Sequence, residues 1–297
     1  MTKISQKIVF FGTENYSLAV LQKLVETGIP IAYVVTKPDT RRGRGHKLIE
    51  PPVKIYAKKH NIPVLQPNKV NEIIDVITPL KPAVGILVAY GKIIPQSVID
   101  IFSPGIINVH PSLLPAYRGP SPIEAAMTNL DDETGVSIMQ LNAAMDAGPI
   151  YTQSRMPLTG KETKQELYDT LFSEGSRLLI SALPGIISGE LQPKPQDDNT
   201  ATYCHLLSKN DSYINPDNMT AGQADAHVRA YLGFPRSRLI VKGRDIIITK
   251  THVGKTPQSP LDVHCSDGLW LIIDELVAPS GKTIPIDAYL RGYPIEK

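Results

Sequence analysis

The apolar residues in the first two thirds of this chain come in short blocks bounded by turn formers, and blocks of that length can only be buried as strands of a sheet. Lys7 to Gly12 reads KIVFFG, a buried strand. Ser17 to Thr27 then places Leu18, Leu21, Leu24 and Val25 at helical spacing until Gly28 ends the turn, and Ile31 to Val35 begins the next apolar run. Strand, helix, strand is the opening of a parallel sheet whose helices cover its faces. Val84 to Ala89, Gly105 to His110 and Val136 to Leu141, each bounded by Gly, Pro or polar residues, read as further strands of that sheet.

From Thr163 to Ile187 the period becomes helical, with Leu167, Leu171, Leu178, Leu179 and Leu183 apolar, and Gln192 to Thr200 (QPKPQDDNT) breaks it. After Ser208 the runs are short and alternating: Leu239 to Val241, Ile246 to Thr249, Leu269 to Ile273 and Thr283 to Ile286. That pattern predicts a small β domain, with a barrel as its architecture. The expected organisation is an α/β catalytic domain over residues 1–189, a linker over 190–207 and a C-terminal β domain over 208–297. A chain of 297 residues has the length for two such cores.

Composition narrows the function class. Hydrophobic residues at 42% and charged residues at 20% are the balance of a globular protein rather than a disordered one. The longest apolar stretch, Ala83 to Ala89, is far shorter than the ~20 residues a membrane helix needs, so no membrane contact is expected. Lys3 and Lys7 precede Ile8 to Phe11, but Gly12, Thr13, Glu14 and Asn15 end that run before a signal-peptide core could form. Cys204 and Cys265 are in no C-x-x-C pair and near no histidine at ligand spacing, so neither a zinc site nor a disulfide framework is expected. The expected location is cytoplasmic. A formal net charge of +2 means that any nucleic-acid contact must come from local clusters of cations.

Ile106 to Pro111 (IINVHP) puts Asn108 and His110 on one side of a strand by its period of two, and Pro111 ends regular pairing just beyond them. In an open α/β sheet, ligands bind in the crevice beyond the carboxyl ends of the strands. Met145 to Pro149 (MDAGP) follows the next strand and offers Asp146 in a turn. A carboxylate near His110 would hold its tautomer and favour its protonated form. Taken alone, Asn-x-His is equally a pair of capping or core polar residues, and Asp beside Gly and Pro is equally a plain turn. Together they would make an acyl-transfer site without a covalent nucleophile. Between them, Ser112 to Pro122 (SLLPAYRGPSP) is a stiff, shaped loop rather than a flexible linker. Gly12 lacks the two further glycines of G-x-G-x-x-G, so the first turn has no dinucleotide fingerprint.

The runs INVHPSLLPAYRG, ETGVSIMQ and MDAGP, in this order and spacing, resemble the folate-dependent formyltransferase family. The resemblance extends to FFGT, VVTKPDTRRGRGHKL, PVLQP and VAYGKIIP, the pattern of those members that act on methionyl-tRNA. It implies the formyltransferase fold, a Rossmann-like and mostly parallel sheet, followed by an OB-like β-barrel that binds tRNA. It also implies transfer of the formyl group of 10-formyl-tetrahydrofolate to the free amine of initiator methionyl-tRNA, with no metal and no obligate protein partner. Asn108, His110 and Asp146 match the family's catalytic triad. Ile86, Leu87, Val88, Ala89 and Tyr90, with Ser112, Leu113, Leu114 and Pro115, match its folate site. Glu14 stands where the family usually shows proline, and Pro149 where an acidic residue or asparagine is common.

Two cation clusters fit a nucleic-acid partner. Thr40 to Lys47 (TRRGRGHK) holds Arg41, Arg42, Arg44 and Lys47 around two glycines, which suits phosphate contact and suits a solvated surface loop as well. By the resemblance, it is the loop that meets the tRNA acceptor end. Between Arg229 and Lys255 the chain carries Arg229, Arg236, Arg238, Lys242, Arg244, Lys250 and Lys255 against Asp245 alone, a concentration that favours phosphate contacts. Two rivals share the triad or the fold: a formyltransferase acting on a nucleotide-linked amino sugar or a purine precursor, and a folate- or RNA-binding module without catalysis. A basic β domain after the catalytic domain favours the tRNA acceptor over a sugar.

Overall fold

Strands β1 (Ile8–Gly12), β2 (Ile31–Val35), β3 (Thr40–Arg42), β4 (Lys47–Ile49), β5 (Val64–Leu65), β6 (Val84–Val88), β7 (Ile106–His110), β8 (Glu133–Gln140) and β9 (Ile150–Pro157) follow in chain order. The computed structural model describes residues 6–42 and 47–295. All of these strands except the hairpin β3–β4 join one sheet in the order β5-β2-β1-β6-β7-β8-β9. β1 is buried at every position because it lies inside the parallel part, flanked by β2 and β6. β5 and β7 extend that parallel part, and β8 then runs antiparallel to β7. The expected strands are all present. β5 and β9 are additional: β5 is only two residues long, and β9 alternates buried with open positions too weakly to form an apolar block.

The carboxyl ends of β1 and β6 are tied together by side chains. Ser17 Oγ donates to the Val88 carbonyl at 2.7 Å, and Thr13 Oγ1 donates to the Tyr90 carbonyl at 2.9 Å. Gly12 permits this approach, since a Cβ there would fall 2.8 Å from Ser17 Cβ and 3.1 Å from the Val88 oxygen. The long helix Lys164–Ser188 coincides with the expected helical segment. Its Gly175 lies against β7 and β8, where a Cβ would meet Val109 Cγ1 at 2.6 Å and Val136 Cγ2 at 3.1 Å. Val109 therefore faces the helix, and the pleat sends Asn108 and His110 to the other face.

The chain divides into two compact units. The first takes the described residues up to Arg118 together with Gly135–Arg155 and Tyr168–Tyr203; the second takes Gly119–Thr134, Met156–Leu167 and the chain from Cys204 onward. The 190–207 stretch, expected as a linker, is bound to the first unit over most of its length. Lys194 and Ile150 exchange backbone hydrogen bonds of 2.8 Å, and Leu191 N donates to the Gly185 carbonyl at 2.9 Å.

The second unit holds β10 (Ser237–Val241), β11 (Arg244–Gly254), β12 (Val263–His264), β13 (Trp270–Val277) and β14 (Thr283–Pro285). Their pairings are antiparallel, in the order β10-β11-β13-β12 with β14 also on β13. The expected barrel is not closed among the described residues: β12 and β14 are two and three residues long, and both pair with β13 rather than reaching β10. Helices Ala221–Ala230 and Ile286–Gly292, which the sequence reading did not anticipate, supply Ala221, Ala224, Val228 and Tyr289 to the core beneath this sheet. The first has a reciprocal cap: Gln223 N donates to Thr220 Oγ1 at 3.1 Å, and Thr220 N donates to Gln223 Oε1 at 3.0 Å. No helix among the described residues is long and apolar enough to cross a membrane.

His227, in the last turn of that helix, is buried with its ring nitrogens 2.8 Å from Ser237 Oγ and 3.0 Å from the Asp211 carbonyl. Burial lowers its pKa from 6.5 to about 4, against the opposing pull of the Asp211 carbonyl. The folded imidazole stays neutral where the unfolded one takes a proton, so stability is lost as pH falls from about 6.5 towards about 4, by on the order of 3 kcal/mol. Urea unfolding followed through Trp270, the chain's single tryptophan, reads this unit. Between pH 7 and pH 4.5 the wild type should lose stability that a His227→Gln variant does not; equal losses would remove His227 as the cause.

Candidate active site

At the end of β7, Asn108 and His110 are 6% and 4% exposed, and both side chains meet Asp146. Asn108 Nδ2 donates to Asp146 Oδ1 at 3.3 Å, and His110 Nδ1 lies 3.8 Å from Asp146 Oδ2. The three residues that the sequence reading assigned to the triad are thus brought together in the first unit. On the other side of the imidazole, Nε2 donates to the Tyr117 carbonyl at 2.9 Å. A carbonyl can only accept, so the hydrogen of the neutral ring belongs on Nε2 and the Nδ1 lone pair faces the carboxylate. Any second proton on the ring goes to Nδ1, between imidazole and Asp146.

Asp146 holds a φ of +46°, a left-handed conformation rare for a residue other than glycine. The turn is kept there by packing. A Cβ on Gly148 would fall 1.8 Å from the Gln140 carbonyl oxygen, and Gln140 N donates to the Pro149 carbonyl at 2.8 Å.

The loop between His110 and Arg118 is shaped by residues on β8 and β9. Ser137 Oγ donates to the Ser112 carbonyl at 2.6 Å and accepts from Leu114 N at 3.1 Å. Gln153 Nε2 donates to the Leu114 carbonyl and to Ser137 Oγ, both at 2.8 Å, and Ser112 Oγ closes the turn onto the Ala116 carbonyl at 2.6 Å. Of the nine residues expected to line a folate, Ile86, Val88, Tyr90, Ser112 and Leu114 are buried, whereas Leu87, Ala89, Leu113 and Pro115 are partly open. The Tyr90 ring packs edge-on to Phe11, its hydroxyl has no hydrogen-bond partner among the described residues, and burial pushes its pKa up to about 12.

Arg118, a loop residue in the sequence reading, is 2% exposed. Its Nε donates to Gln196 Oε1 at 2.9 Å, Nη2 to Asp198 Oδ1 at 2.7 Å and Nη1 to the Tyr203 hydroxyl at 3.1 Å. Burial works against its charge, but Asp198 and Tyr203 more than offset this and hold its pKa above the ordinary value. Gln196 and Ser137 were missed because their partners are distant in sequence; the one available signal was an arginine in an otherwise apolar, proline-rich loop.

The expected tRNA contacts divide. Arg41 and Lys47 are exposed on the β3–β4 hairpin; Arg44 and the Arg42 side chain lie outside the described residues. Lys54, just beyond the hairpin, pairs with Asp39 before it at 2.7 Å and with Glu50 after it at 2.9 Å. Hydrogen bonds from Lys54 and then Gln66 hold the Asp39 carboxyl below its ordinary pKa. In the second unit Arg236 and Lys242 are exposed. Arg229 instead binds Asp225 at 3.0 Å and the Glu162 carbonyl at 2.7 Å. Arg238 grips Asp245 at 3.0 and 2.7 Å, and Arg244 donates to the Tyr293 and Pro294 carbonyls at 2.8 and 2.7 Å.

Residues 6–183 match the family model described as formyl transferase. The methionyl-tRNA formyltransferase of Pelobacter propionicus is 36% identical over 303 residues, which cover 98% of this chain and 94% of that protein. The one from Chloroflexus aurantiacus is 39% identical over 249 residues, 83% of this chain and 80% of its own. Among solved structures, an N-formyltransferase from Helicobacter canadensis in complex with folinic acid and dTDP-3-aminofucose aligns with a TM-score of 0.67 at 17% identity, covering 91% of this chain and 99% of that one. HypX from Aquifex aeolicus in complex with tetrahydrofolic acid aligns with a TM-score of 0.66 at 14% identity over 96% of this chain, which spans only 46% of that longer protein. At those identities the two structures establish the fold alone.

The contact under Gly148 sets an expectation. Gly148→Ala forces the Asp146 turn away from the Gln140 backbone, at a cost of about 1–3 kcal/mol for an overpacked site. The melting temperature should fall by several degrees and the His110 imidazole NMR signals should move; a variant that keeps both would show that Gln140 does not seat this turn.

Proposed function

The chain belongs to the formyl transferase family, and from that premise we propose that it transfers a formyl group from 10-formyl-tetrahydrofolate to the amine of methionyl-tRNA, the initiator species, in the cytoplasm. The observation that carries the acceptor is identity at 36% with a methionyl-tRNA formyltransferase over 98% of the chain, which includes the β unit beyond the family model's end at residue 183. The fold alone would suit an amino-sugar acceptor equally well.

The residues present fit a folate. Leu87, Ala89, Leu113 and Pro115 offer partly open apolar surface near the carboxyl ends of β6 and β7. When bound, the folate supplies the activated formyl carbon. Asn108 Nδ2 and a proton on His110 Nδ1, both turned to Asp146 in this structure, are the donors that would shift to the oxygen on which negative charge builds during attack. Asp146 orients His110 and receives the proton that the attacking amine must lose. Single donors of this kind are worth about 10²–10³ in rate.

Arg41 and Lys47, with Arg236, Lys242, Lys250 and Lys255, are the described members of the two clusters left exposed to reach tRNA phosphates. The antiparallel sheet of the second unit serves as an OB-like platform for the cations of that unit. Arg229, Arg238 and Arg244 are engaged by partners of that unit. No step requires a metal.

A formylation assay separates the acceptors. With 10-formyl-tetrahydrofolate as donor, methionyl-tRNA should be consumed with a kcat/KM at least about a hundredfold above those for a nucleotide-linked amino sugar and for glycinamide ribonucleotide, a margin worth roughly 2.7 kcal/mol of transition-state binding. Preferred use of either small acceptor would overturn the assignment.

A further inference from the structure

Asp146 and His110 are each held by a partner that leads back to one pair of side chains, the buried Arg118 and the partly buried Gln196. Gln196 Nε2 donates to the Asp146 carbonyl at 2.8 Å and to the Gly148 carbonyl at 2.7 Å, so one amide nitrogen spans the turn that carries the carboxylate. The amide cannot flip without losing both bonds, because its oxygen would then face two carbonyls. The orientation is fixed from behind, where Gln196 Oε1 accepts from Arg118 Nε at 2.9 Å.

Arg118 in turn sets the loop on the other side of the imidazole. Its neighbour Tyr117, at a φ of +59°, presents the carbonyl that accepts from His110 Nε2. Tyr117 N donates to Thr202 Oγ1 and Arg118 N to the Thr202 carbonyl, both at 2.9 Å. The segment from Gln196 to Tyr203 thus binds both the residue whose carbonyl fixes the ring and the turn that carries the acid. Two backbone positions in left-handed conformations, Tyr117 and Asp146, are joined through one guanidinium–amide contact. Strain of this kind persists only where surroundings over-determine it.

We propose that Arg118 and Gln196 are positioning residues for the transfer reaction: together they hold Asp146 and His110 Nε2 in register without touching either substrate. This rests on the assignment of Asp146 and His110 to catalysis. A displacement of about 1 Å at such a site costs on the order of 10²-fold in rate. The loss belongs in kcat, since neither side chain is among the exposed cations offered to tRNA or the apolar residues offered to folate.

The test uses the full chain with Gln196→Ala, Gln196→Glu, Arg118→Lys, Asp146→Asn and the double variant Gln196→Ala/Asp146→Asn. Gln196→Glu keeps the acceptor for Arg118 but turns a carboxylate oxygen towards two carbonyls, so it should be as slow as Gln196→Ala. Each Gln196 variant should lose about 10²-fold in kcat with KM for methionyl-tRNA and for the folate within about threefold of wild type, and with little change in melting temperature. Arg118→Lys, which keeps the charge but not the fork, should lose kcat in the same manner. The double variant should be no slower than Asp146→Asn alone, because a residue acting through Asp146 has nothing left to position. Wild-type kcat in both Gln196 variants, a loss confined to KM, or losses that multiply in the double variant would overturn the proposal while leaving the triad intact. Wild-type activity in Asp146→Asn would overturn the catalytic assignment and the proposal with it.

Discussion

The face of β7 that carries the polar site is decided by the packing of Val109 on Gly175. The helix comes so close at that point that no side chain fits on the glycine, and the pleat then leaves Asn108 and His110 pointing away from the helix. Every later feature follows from that choice of face. The neighbouring β8 runs antiparallel, with Ser137 opposite His110 and Gln140 opposite Ile107, so it ends beside the start of β7, and the turn that follows carries Asp146 back to Asn108 and His110. Ser137, one pleat along, is then in reach of the loop that leaves His110 and clamps it through Ser112 and Leu114. A polar site inside a hydrophobic sheet is expensive unless its groups satisfy one another, and here the carboxylate, amide, imidazole and a main-chain carbonyl do so in sequence.

The parts of this arrangement that were legible in the sequence are those set by local period. The strand alternation of IINVH and the proline that ends it put Asn108 and His110 on one side of one strand, and the resemblance to the formyltransferase family, not local period, implied that Asp146 joins them. What could not be read was pairing between residues far apart in the chain. Gln196 is 50 residues from Asp146, and Arg118 is 78 from Gln196. Neither stands in a pattern that announces a partner, and the stretch holding Gln196 has the composition of a linker. It is ordered by its hydrogen bonds to the first unit rather than by any apolar content. The same reason explains the basic residues of the second unit. A run of cations in sequence says nothing about carbonyls or acids that approach from elsewhere, and Arg229, Arg238 and Arg244 are each met by such partners.

The β unit illustrates a different limit. Its alternating runs gave the strands, but closure into a barrel depends on strand length and on what covers the open face. Two short strands on β13 and two helices rich in small residues take the place of a closing ladder. The Thr220–Gln223 cap was visible as a T-x-x-Q spacing, while the alanine-rich helix behind it carried too little hydrophobic contrast to stand out. The segments 119–134 and 156–167 also assort with this unit, so a cut at residue 208 would remove part of what they pack with, and the boundary between the units is not one point along the chain.

The central claim is that Asn108, His110 and Asp146 act as one device on the formyl group. Single-turnover transfer of labelled formyl from 10-formyl-tetrahydrofolate to methionyl-tRNA, measured for each alanine variant and for the triple variant at saturating substrates, tests it directly. If the three work as a unit, the triple variant transfers no more slowly than the slowest single variant, since groups acting together lose their joint contribution at the first deletion. Losses that multiply across the three positions, or a single variant that keeps more than about a tenth of the wild-type rate, would contradict it.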